Sequence, residues 1–371
     1  MIVNLVFTLA VAAIPAQVGE SSDSVEAKRS EIVQKGLAFL REQGQEEDGS
    51  LSARVGSGVT SLAVAAGLKN GLPLSDPLVA RGLSYLEGKI QPNGGIYSSD
   101  RLRNYETCVA IMALAEANSV AGDGRYDTAL KNAGRFVRGL QVGVDDEISE
   151  SDSHFGGVGY SGKERPDLSN TAFFIEALKS LDTPPDDPAI LRALVFVSRC
   201  QNLDAQWNDT VFADKVKDGG FYYVIPTETV DPSASERYTE NGGLRSYGSM
   251  SYAGFKSLVY AGLEKDDPRA KAVLEWISAN YSLQENPGQG IAGLYYYFHT
   301  FGTALDASGL EVISTPDGEK DWRTDLVLHL GKSQRPDGSW VNENRQWFEN
   351  DANLCTAFAL LSLSHAKGSE E

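Results

Sequence analysis

A short segment built around a glycine turn recurs six times in this chain, and it restricts the fold more than any other feature. Its clearest copy is Gln334–Trp340, which reads Gln-Arg-Pro-Asp-Gly-Ser-Trp. The six turns are Asp48–Leu51, Asn93–Tyr97, Gly156–Tyr160, Asp218–Phe221, Ala292–Tyr295 and Asp337–Trp340. An apolar helical run precedes each turn and a second one follows it. Glycine suits these turns because a chain that leaves a helix often adopts positive φ, which glycine tolerates best.

The two helices of each repeat differ in composition. The first helix carries an aromatic or bulky residue near its end, usually followed by a glutamine. The pairs are Phe39 with Gln43, Tyr85 with Gln91, Phe136 with Gln141, Phe196 with Gln201, Trp276 with Tyr281, and His329 with Gln334. The second helix is rich in small residues, and its aligned positions are Thr60, Thr107, Thr171, Ser251, Phe298 and Thr356. Because small side chains let helices approach closely, we assign the second helices to an inner ring and the first helices to an outer ring.

A helix hairpin of this kind cannot bury both of its faces alone, so neighbouring repeats must stack. The uneven spacing of the repeats is typical of one structural unit with loops of variable length. Six hairpins can close on themselves, which removes the exposed ends of an open array. The sequence therefore predicts an all-α fold, an α/α toroid of about six helix hairpins and about twelve helices that covers residues 31–367.

The two ends of the chain fall outside this domain. Residues 1–19 carry no charged side chain, residues 2–15 are apolar, and Ala16 offers a cleavage position. This pattern indicates a signal peptide or an N-terminal anchor, so we expect a secreted or periplasmic protein. Residues 20–30 are polar and predict a linker, and residues 368–371 predict a tail. No later segment is long and apolar enough to cross a bilayer.

The charge and the cysteines exclude several classes of protein. The net charge of −18 disfavours binding to a nucleic-acid backbone or to an anionic lipid surface. The cysteines Cys108, Cys200 and Cys355 are widely spaced and form no disulfide framework, so we expect buried free thiols. The few histidines show no metal-ligand spacing.

The segment Gln334–Trp340 resembles the glutamine–tryptophan repeat of squalene and oxidosqualene cyclases, which protein prenyltransferase β subunits share in looser form. The segments Asn170–Phe173, Ser251–Phe255 and Cys355–Leu361 are also similar to that family. The resemblance covers about residues 31–367. It implies an α/α toroid and a role related to terpenoids.

The catalytic motifs of that family are missing from the chain. The sequence contains neither the Asp-x-Asp-Asp acid of squalene–hopene-type cyclases nor the Asp-x-Cys pair with which protein prenyltransferases hold zinc. The Cys-Gly-Glu-Gln motif of complement-type thioester domains, which share the toroid, is absent as well. The chain thus resembles the scaffold of the cyclase family with a different or absent chemistry, and we expect neither a metal nor a cofactor.

The repeat also predicts where a site would lie. Every glycine turn joins an outer helix to an inner helix, so all six turns lie at one end of the ring with the N-termini of the inner helices. Unpaired N–H groups there make the centre of this end locally positive, which favours a polar or anionic substituent. The mouth of the ring is therefore the expected site.

Side chains that begin the inner helices, or precede them, are the candidate ligand contacts. They are Tyr105, Arg103, Arg245, Tyr247, Tyr295, Tyr296, Tyr297 and Trp347. Aromatic walls can stabilise a cation through their ring faces or stack on a sugar, although consecutive tyrosines also occur as core. The candidate catalytic residues are His299 as a general base and Asp351 and Glu106 as acids. The alternatives are a structural histidine and acids that only complement a helix dipole.

Three hypotheses for the function remain open at this point. The first is a secreted protein that binds, and if catalytic transforms, a terpenoid or other hydrophobic ligand at the mouth of the toroid. The second is a non-catalytic binding or scaffold module, for which the missing motifs argue. The third is a secreted polysaccharide-acting enzyme, suggested by the acidic charge and by the expected exposure of Trp340 and Trp347.

Overall fold

The computed structural model describes residues 22–144, 148–227 and 235–367. Within these ranges it has twelve α-helices: α1 (Ser22–Phe39), α2 (Gly58–Lys69), α3 (Pro77–Glu87), α4 (Arg103–Ala121), α5 (Asp127–Gly139), α6 (Leu168–Lys179), α7 (Pro188–Arg199), α8 (Gly248–Tyr260), α9 (Pro268–Ala279), α10 (Leu294–Ala307), α11 (Trp322–Ser333) and α12 (Ala352–His365). One antiparallel hairpin, β1 (Val312–Thr315) and β2 (Gly318–Asp321), connects α10 to α11.

The even-numbered helices form the inner ring. Each packs against the next in chain order, and α12 packs against α2, so the ring closes. The odd-numbered helices lie outside, with α3 against α2, α5 against α4, α7 against α6, α9 against α8, and α1 against α12 and α11. The all-α toroid predicted from the repeat is confirmed. The inner helices are buried on nearly every side, which explains why small residues dominate them.

Glutamine side chains tie the glycine turns to the neighbouring outer helix. Gln334 Nε2 donates to Gly338 O at 2.9 Å and to Ile32 O at 2.8 Å, which joins the last repeat to the first helix. Equivalent pairs of bonds are made by Gln45, Gln141 and Gln201. In the first repeat the glutamine is therefore Gln45 and not the expected Gln43, because a π-helical turn at Leu40–Gly44 adds one residue to the spacing.

The aligned hydroxyl of each inner helix has a structural role. Thr356 Oγ1 accepts the N–H of Trp340 at 3.1 Å, and Thr60, Thr107, Thr171 and Ser251 accept the equivalent N–H of their own turns. Each hydroxyl thus fixes the turn onto the first turns of its own inner helix. The fifth repeat has Phe298 at this position, and there α10 begins directly after Gly293, which has positive φ.

Replacing Gly338 with alanine is expected to lower the free energy of unfolding by about 2 kcal/mol more than replacing Gly71. Both glycines have a φ of 88°, so both substitutions carry the cost of a left-handed backbone. A Cβ on Gly338 would lie 2.4 Å from Lys35 O at the seam of the ring, whereas a Cβ on Gly71 would meet nothing within 4 Å. Urea denaturation of the two variants measures the difference. Equal losses of stability would contradict the close contact of Gly338 with α1.

The first helix begins earlier than the sequence suggested. We expected a linker over residues 20–30, but α1 starts at Ser22. Val25 is buried on its inner face, and Arg29 bonds to Glu26 one turn away, so this polar segment is amphipathic. The expected signal or anchor at residues 1–19 and the expected tail at residues 368–371 lie outside the described residues.

The middle of the ring contains a buried ion pair. Lys256 of α8 and Glu176 of α6 link these two neighbouring inner helices, with 2% and 9% of their side chains exposed. Lys256 Nζ also lies 5.7 Å from the centroid of the Phe173 ring. Burial acts to raise the pKa of Glu176, but the charge and hydrogen bond of Lys256, together with other nearby groups, outweigh burial and lower it.

Two further expectations concern the described residues. Cys108, Cys200 and Cys355 are buried free thiols, as predicted. No helix in the described part of the chain has both the length and the apolar character that crossing a membrane requires.

Candidate functional site

A cavity of about 280 Å³ lies at the end of the ring where the inner helices begin. The first turns of all six inner helices and the connections that precede them line it. The lining residues are Val55, Gly58, Val59, Leu102, Tyr105, Tyr160, Ser169, Phe173, Tyr223, Tyr247, Ser249, Met250, Gly293, Tyr296, Trp347, Phe348, Glu349, Leu354 and Phe358. Most of these side chains are aromatic or aliphatic. The expected location of the site, at the mouth of the toroid, therefore coincides with an enclosed apolar space.

Successive aromatic contacts run around one side of the cavity. The Tyr105 ring lies 6.1 Å from that of Tyr160 and meets Phe173 edge to face at 5.3 Å. Phe173 lies 5.9 Å from Tyr296, which in turn lies 5.8 Å from Phe358. Each ring therefore holds the next in place, and the cavity has a wall of fixed shape before any ligand binds.

His299 lies between two of these rings. Its imidazole is nearly parallel to Phe358 at 5.4 Å and to Phe173 at 6.2 Å, and only 1% of the residue is exposed. Neither ring nitrogen has a hydrogen-bond partner. Burial lowers the pKa of His299 to about 3. The residue is a neutral and weak base that supports the aromatic wall, so it does not fit the expected role of general base at neutral pH.

A carboxyl group lies behind the cavity wall at the start of α6. Asp167 caps this helix by accepting the N–H of Asn170 at 2.8 Å, and its second oxygen accepts from Asn170 Nδ2 at 2.8 Å. The Tyr223 hydroxyl also bonds to it. Burial raises the pKa of Asp167 to about 7, because these bonds only partly offset the loss of water. Asp167 therefore holds a proton over part of the neutral range.

Tyrosine hydroxyls surround this carboxyl group. We call Tyr160, Tyr223, Tyr247 and Tyr296 the tyrosine cluster. All four line the cavity, and the charge of Asp167 acts to raise the pKa of each. Burial raises the pKa of Tyr160 to about 12 and raises the pKa values of the other three further. All four are uncharged phenols at neutral pH. One side of the cavity is thus polar and the rest is apolar.

A second carboxyl group faces the cavity directly. Glu349 is 1% exposed, and its Oε1 accepts the N–H of Tyr296 at 2.8 Å while its Oε2 accepts from Asn342 Nδ2 at 2.6 Å. Burial raises the pKa of Glu349 even though the backbone N–H groups that begin α10 act to lower it. One buried carboxyl group therefore faces the cavity and another lies behind its wall. The pKa values of both are displaced upwards, a pattern that often marks functional sites.

The expectation of a positive mouth is wrong, because the chain caps its own inner helices. At the start of each inner helix, one backbone N–H group donates a hydrogen bond to another part of the chain. The acceptors are Glu106 Oε1 (from Ser57), Tyr160 O (from Asn104), Asp167 Oδ1 (from Asn170), Asn286 Oδ1 (from Ser249), Glu349 Oε1 (from Tyr296) and Asp351 Oδ1 (from Asn353). Four of these acceptors are carboxylic side chains. Their carboxyl groups oppose the positive ends of the helix dipoles, which disfavours an anion at this end of the ring.

Four of the eight expected ligand contacts line the cavity. They are Tyr105, Tyr247, Tyr296 and Trp347. Trp347 is 47% exposed and Phe348 beside it is 60% exposed, and both adopt left-handed backbone conformations with φ of 52° and 64°. These two aromatic residues form the outer rim of the mouth.

The other four expected contacts point away from the cavity. Arg103 Nε donates to Ser161 O at 2.6 Å, and Arg245 Nε donates to the carbonyl groups of an exposed loop. Tyr297 donates to Ser282 O at 2.6 Å on the outer side of α10, and Tyr295 packs against Phe298. Because adjacent residues of a helix are rotated by about 100°, only the middle tyrosine of this run faces inwards.

The two expected acids have capping roles. Asp351 begins α12, where it accepts N–H groups and forms an ion pair with Arg54 at 2.7 Å. Glu106 is fully buried between loops, and its oxygens accept the N–H groups of Ser57 and Ser98 at 3.0 and 2.6 Å. Neither residue lines the cavity. Trp340, which we expected to be exposed, is fully buried and donates to Leu330 O at 2.9 Å.

Several lining residues were missed, although the repeat contains a signal for them. The residue two positions before the aligned position of each inner helix lines the cavity in all six repeats. These residues are Gly58, Tyr105, Ser169, Ser249, Tyr296 and Leu354. Two residues correspond to about 200° of helix rotation, so a side chain there points opposite to the one that holds the turn. Phe173 and Phe358, two positions after, follow the same rule.

The opposite end of the ring differs in character. A wider cleft of about 860 Å³ lies there, at the C-terminal ends of the inner helices, and its lining includes the ion pair of Lys69 and Glu116. Among the described residues no group of three or more His, Cys, Asp or Glu side chains is arranged to hold a metal ion. The enclosed cavity at the mouth is the better candidate for a ligand site.

Comparison with known proteins identifies the fold but no family. No protein-family model and no curated protein sequence matches the chain. A type II terpene cyclase from Scytonema, in complex with its substrate geranylgeranyl dihydroxybenzoate, matches with a TM-score of 0.53 and 13% identity over 93% of this chain and 99% of the cyclase. D-mannose isomerase matches with 0.57 and 12% identity over 95% and 99% of the two chains.

A family 76 glycoside hydrolase from a bovine Bacteroides thetaiotaomicron strain is also similar, with a TM-score of 0.55 and 11% identity over 91% of this chain and 78% of the hydrolase. These proteins act on unlike substrates, and at such low identities the matches show a shared fold alone. The chain is an α/α toroid of the kind found in terpene cyclases and in glycoside hydrolases.

Proposed function

We propose that this protein binds a terpenoid or other hydrophobic ligand in the cavity at the mouth of the toroid. The observation that carries the proposal is the enclosed wall of rings and aliphatic side chains around about 280 Å³ of space. Ligand sites are typically concave, apolar and preformed, with a few polar groups that set the orientation. Burying roughly 300 Å² of apolar ligand surface would contribute about 7 kcal/mol before the cost of immobilising the ligand.

The same cavity carries groups that acid–base chemistry on such a ligand requires. Burial raises the pKa of Asp167 to about 7 and also raises the pKa of Glu349, so both carboxyl groups are candidates for proton transfer. The faces of Phe173, Tyr296 and Phe358 are placed to stabilise positive charge on a ligand. The terpene cyclase in the comparison binds an isoprenoid substrate, and the resemblance of the glutamine–tryptophan repeat points the same way.

Filling the cavity tests the proposal. Val59 lines it and is 4% exposed, so Val59→Trp would place an indole inside the space. Val120→Trp is the matched control, because Val120 is 49% exposed near the end of α4 and away from the cavity. We expect titration calorimetry with geranylgeraniol to show at least about tenfold weaker binding for Val59→Trp only. Unchanged binding in that variant would place the ligand elsewhere.

A polysaccharide-acting enzyme is the second candidate, and the exposed rim formed by Trp347 and Phe348 favours it. Aromatic residues at a mouth can stack on sugar rings, and two buried carboxyl groups could act as an acid–base pair. Titration with manno- and malto-oligosaccharides separates the candidates. Under the main proposal these sugars do not bind, whereas sugar binding that is lost in Trp347→Ala would favour the second candidate.

Export from the cytoplasm forms part of the proposal and stands on residues 1–19, whose apolar composition is typical of a signal segment. Expression of the full chain with mass spectrometry of the exported product tests it. A product that begins after Ala16 would support cleavage, and full-length protein retained in the cytosol would contradict it.

A further inference from the structure

Polar groups are concentrated on one side of the cavity. Tyr160, Tyr223 and Tyr247 lie together near the start of α6, and Ser169 Oγ donates to the Tyr296 hydroxyl at 2.9 Å beside them. Because the Ser169 bond occupies the oxygen of Tyr296, the O–H of Tyr296 remains available as a donor. Much of the remaining wall is formed by apolar side chains such as Val59, Met250, Leu354 and Phe358, although Glu349 and Ser249 also line the cavity.

The hydroxyls of the tyrosine cluster can both donate and accept hydrogen bonds. Behind the cavity wall, Asp167 accepts from the Tyr223 hydroxyl, which helps to fix this phenol in place. This side of the cavity therefore suits a group that both donates and accepts a hydrogen bond, as a hydroxyl does.

The surroundings disfavour a negatively charged group at the same place. Glu106, Asp167, Glu349 and Asp351 each accept an N–H group at the start of an inner helix, so carboxyl groups already stand where an anion would bind. The lining residues include the carboxyl group of Glu349 and no lysine or arginine. A diphosphate placed here would meet carboxyl groups and apolar rings without a compensating cation, at a considerable desolvation cost.

We infer that the ligand is an uncharged amphipathic molecule whose hydroxyl or phenol group hydrogen-bonds to the tyrosine cluster while its apolar body lies against Phe173 and Phe358. This inference rests on the proposed function, because it specifies the class of hydrophobic ligand that the cavity accepts. It assigns the tyrosine cluster as the determinant of specificity and excludes isoprenoid diphosphates as the preferred ligand.

Three probes with one isoprenoid chain test the inference. They are geranylgeraniol, the hydrocarbon that carries hydrogen in place of the hydroxyl, and geranylgeranyl diphosphate, each titrated into the wild-type chain by calorimetry. We expect the alcohol to bind about tenfold or more tightly than the hydrocarbon, as one buried hydrogen bond provides. The diphosphate is expected to bind most weakly.

Variants then locate the hydrogen bond. Tyr223→Phe is expected to remove most of the preference for the alcohol and to leave the affinity for the hydrocarbon within about twofold. Tyr281→Phe is the matched control, because that hydroxyl also bonds to a carboxylate, Asp325 Oδ2 at 2.9 Å, but on the outer ring. If Tyr223→Phe fails to fold, Tyr247→Phe replaces it, and circular dichroism of each variant confirms the native state.

The outcomes separate the inference from the proposed function. If the hydrocarbon and the alcohol bind equally well, or if the diphosphate binds most tightly, the inference is wrong. The proposed hydrophobic ligand site would still be supported in either case. Binding of none of the three probes would overturn both. A preference for the alcohol that Tyr223→Phe removes and Tyr281→Phe retains would support both.

Discussion

Lys256→Met is expected to lower the free energy of unfolding by about 3–5 kcal/mol, the loss typical of removing one partner from a buried ion pair. Lys256 is almost fully buried and is paired with Glu176 at the centre of the ring. Without the lysine, the Glu176 carboxylate would lie in an apolar interior next to Phe173 and His299 with no opposite charge. The variant is expected to melt well below the wild-type chain, as urea denaturation at pH 7 would measure.

Two controls show whether the loss comes from the unpaired charge. Lys217 forms an ion pair with Asp204 at 2.8 Å in which both side chains are more than half exposed, so Lys217→Met is expected to change stability by less than about 1 kcal/mol. Adding Glu176→Met to Lys256→Met removes the isolated carboxylate and is expected to recover most of the loss. A double variant as unstable as the single one would mean that packing, and not charge, dominates at this site.

Asp167→Asn is expected to stabilise the protein by about 3 kcal/mol at pH 8 and to have little effect at pH 4. Burial raises the pKa of Asp167 to about 7, above its ordinary value near 4. Between these values the folded protein binds more protons than the unfolded chain, so wild-type stability falls as the pH rises. Asparagine carries no charge and still caps α6 through its oxygen, and the unpartnered Asn170 Oδ1 can accept from its amide.

Asp187 provides a control of opposite sign for this prediction. It caps α7 in the same way. Burial there acts to raise its pKa, but the hydrogen bond and charge of Arg138, together with the backbone N–H groups that begin α7, outweigh burial and lower it. Asp187→Asn should therefore destabilise the protein at neutral pH, with the effect shrinking as the pH falls through the ordinary range of an aspartate. Thermal unfolding from pH 4 to 8 measures both curves. If the stability of Asp167→Asn depends on pH in the same way as that of the wild-type chain, the result would contradict the burial of this carboxyl group.

The fold could be predicted because the repeat encodes it several times. The glycine turn, the glutamine and the inner-helix hydroxyl each make the same contact in most repeats, as Gln334, Gly338 and Thr356 do in the last one. One irregular copy therefore does little harm to the prediction. The extent of α1 was misjudged because its first turns are held by a few buried contacts, such as that of Val25, which composition alone does not show.

The cavity lies at the end of the ring where the sequence analysis expected a site, and only some of the expected residues line it. Tyr105, Tyr247, Tyr296 and Trp347 were identified because they begin inner helices or precede them. Among Tyr295, Tyr296 and Tyr297 the sequence did not show which one faces the axis, since that depends on the helix phase set by the turn. Asp167 was missed because its raised pKa comes from burial in the folded chain, which the sequence does not show.

The position of a bound isoprenoid tests the central claim most directly. A crystal structure of the full chain grown with geranylgeraniol is expected to show the isoprenoid chain inside the cavity at the mouth of the ring, against Phe173, Tyr296 and Phe358, with its hydroxyl near Tyr223. An empty cavity at saturating ligand, or a ligand bound only in the cleft at the opposite end of the ring, would contradict it.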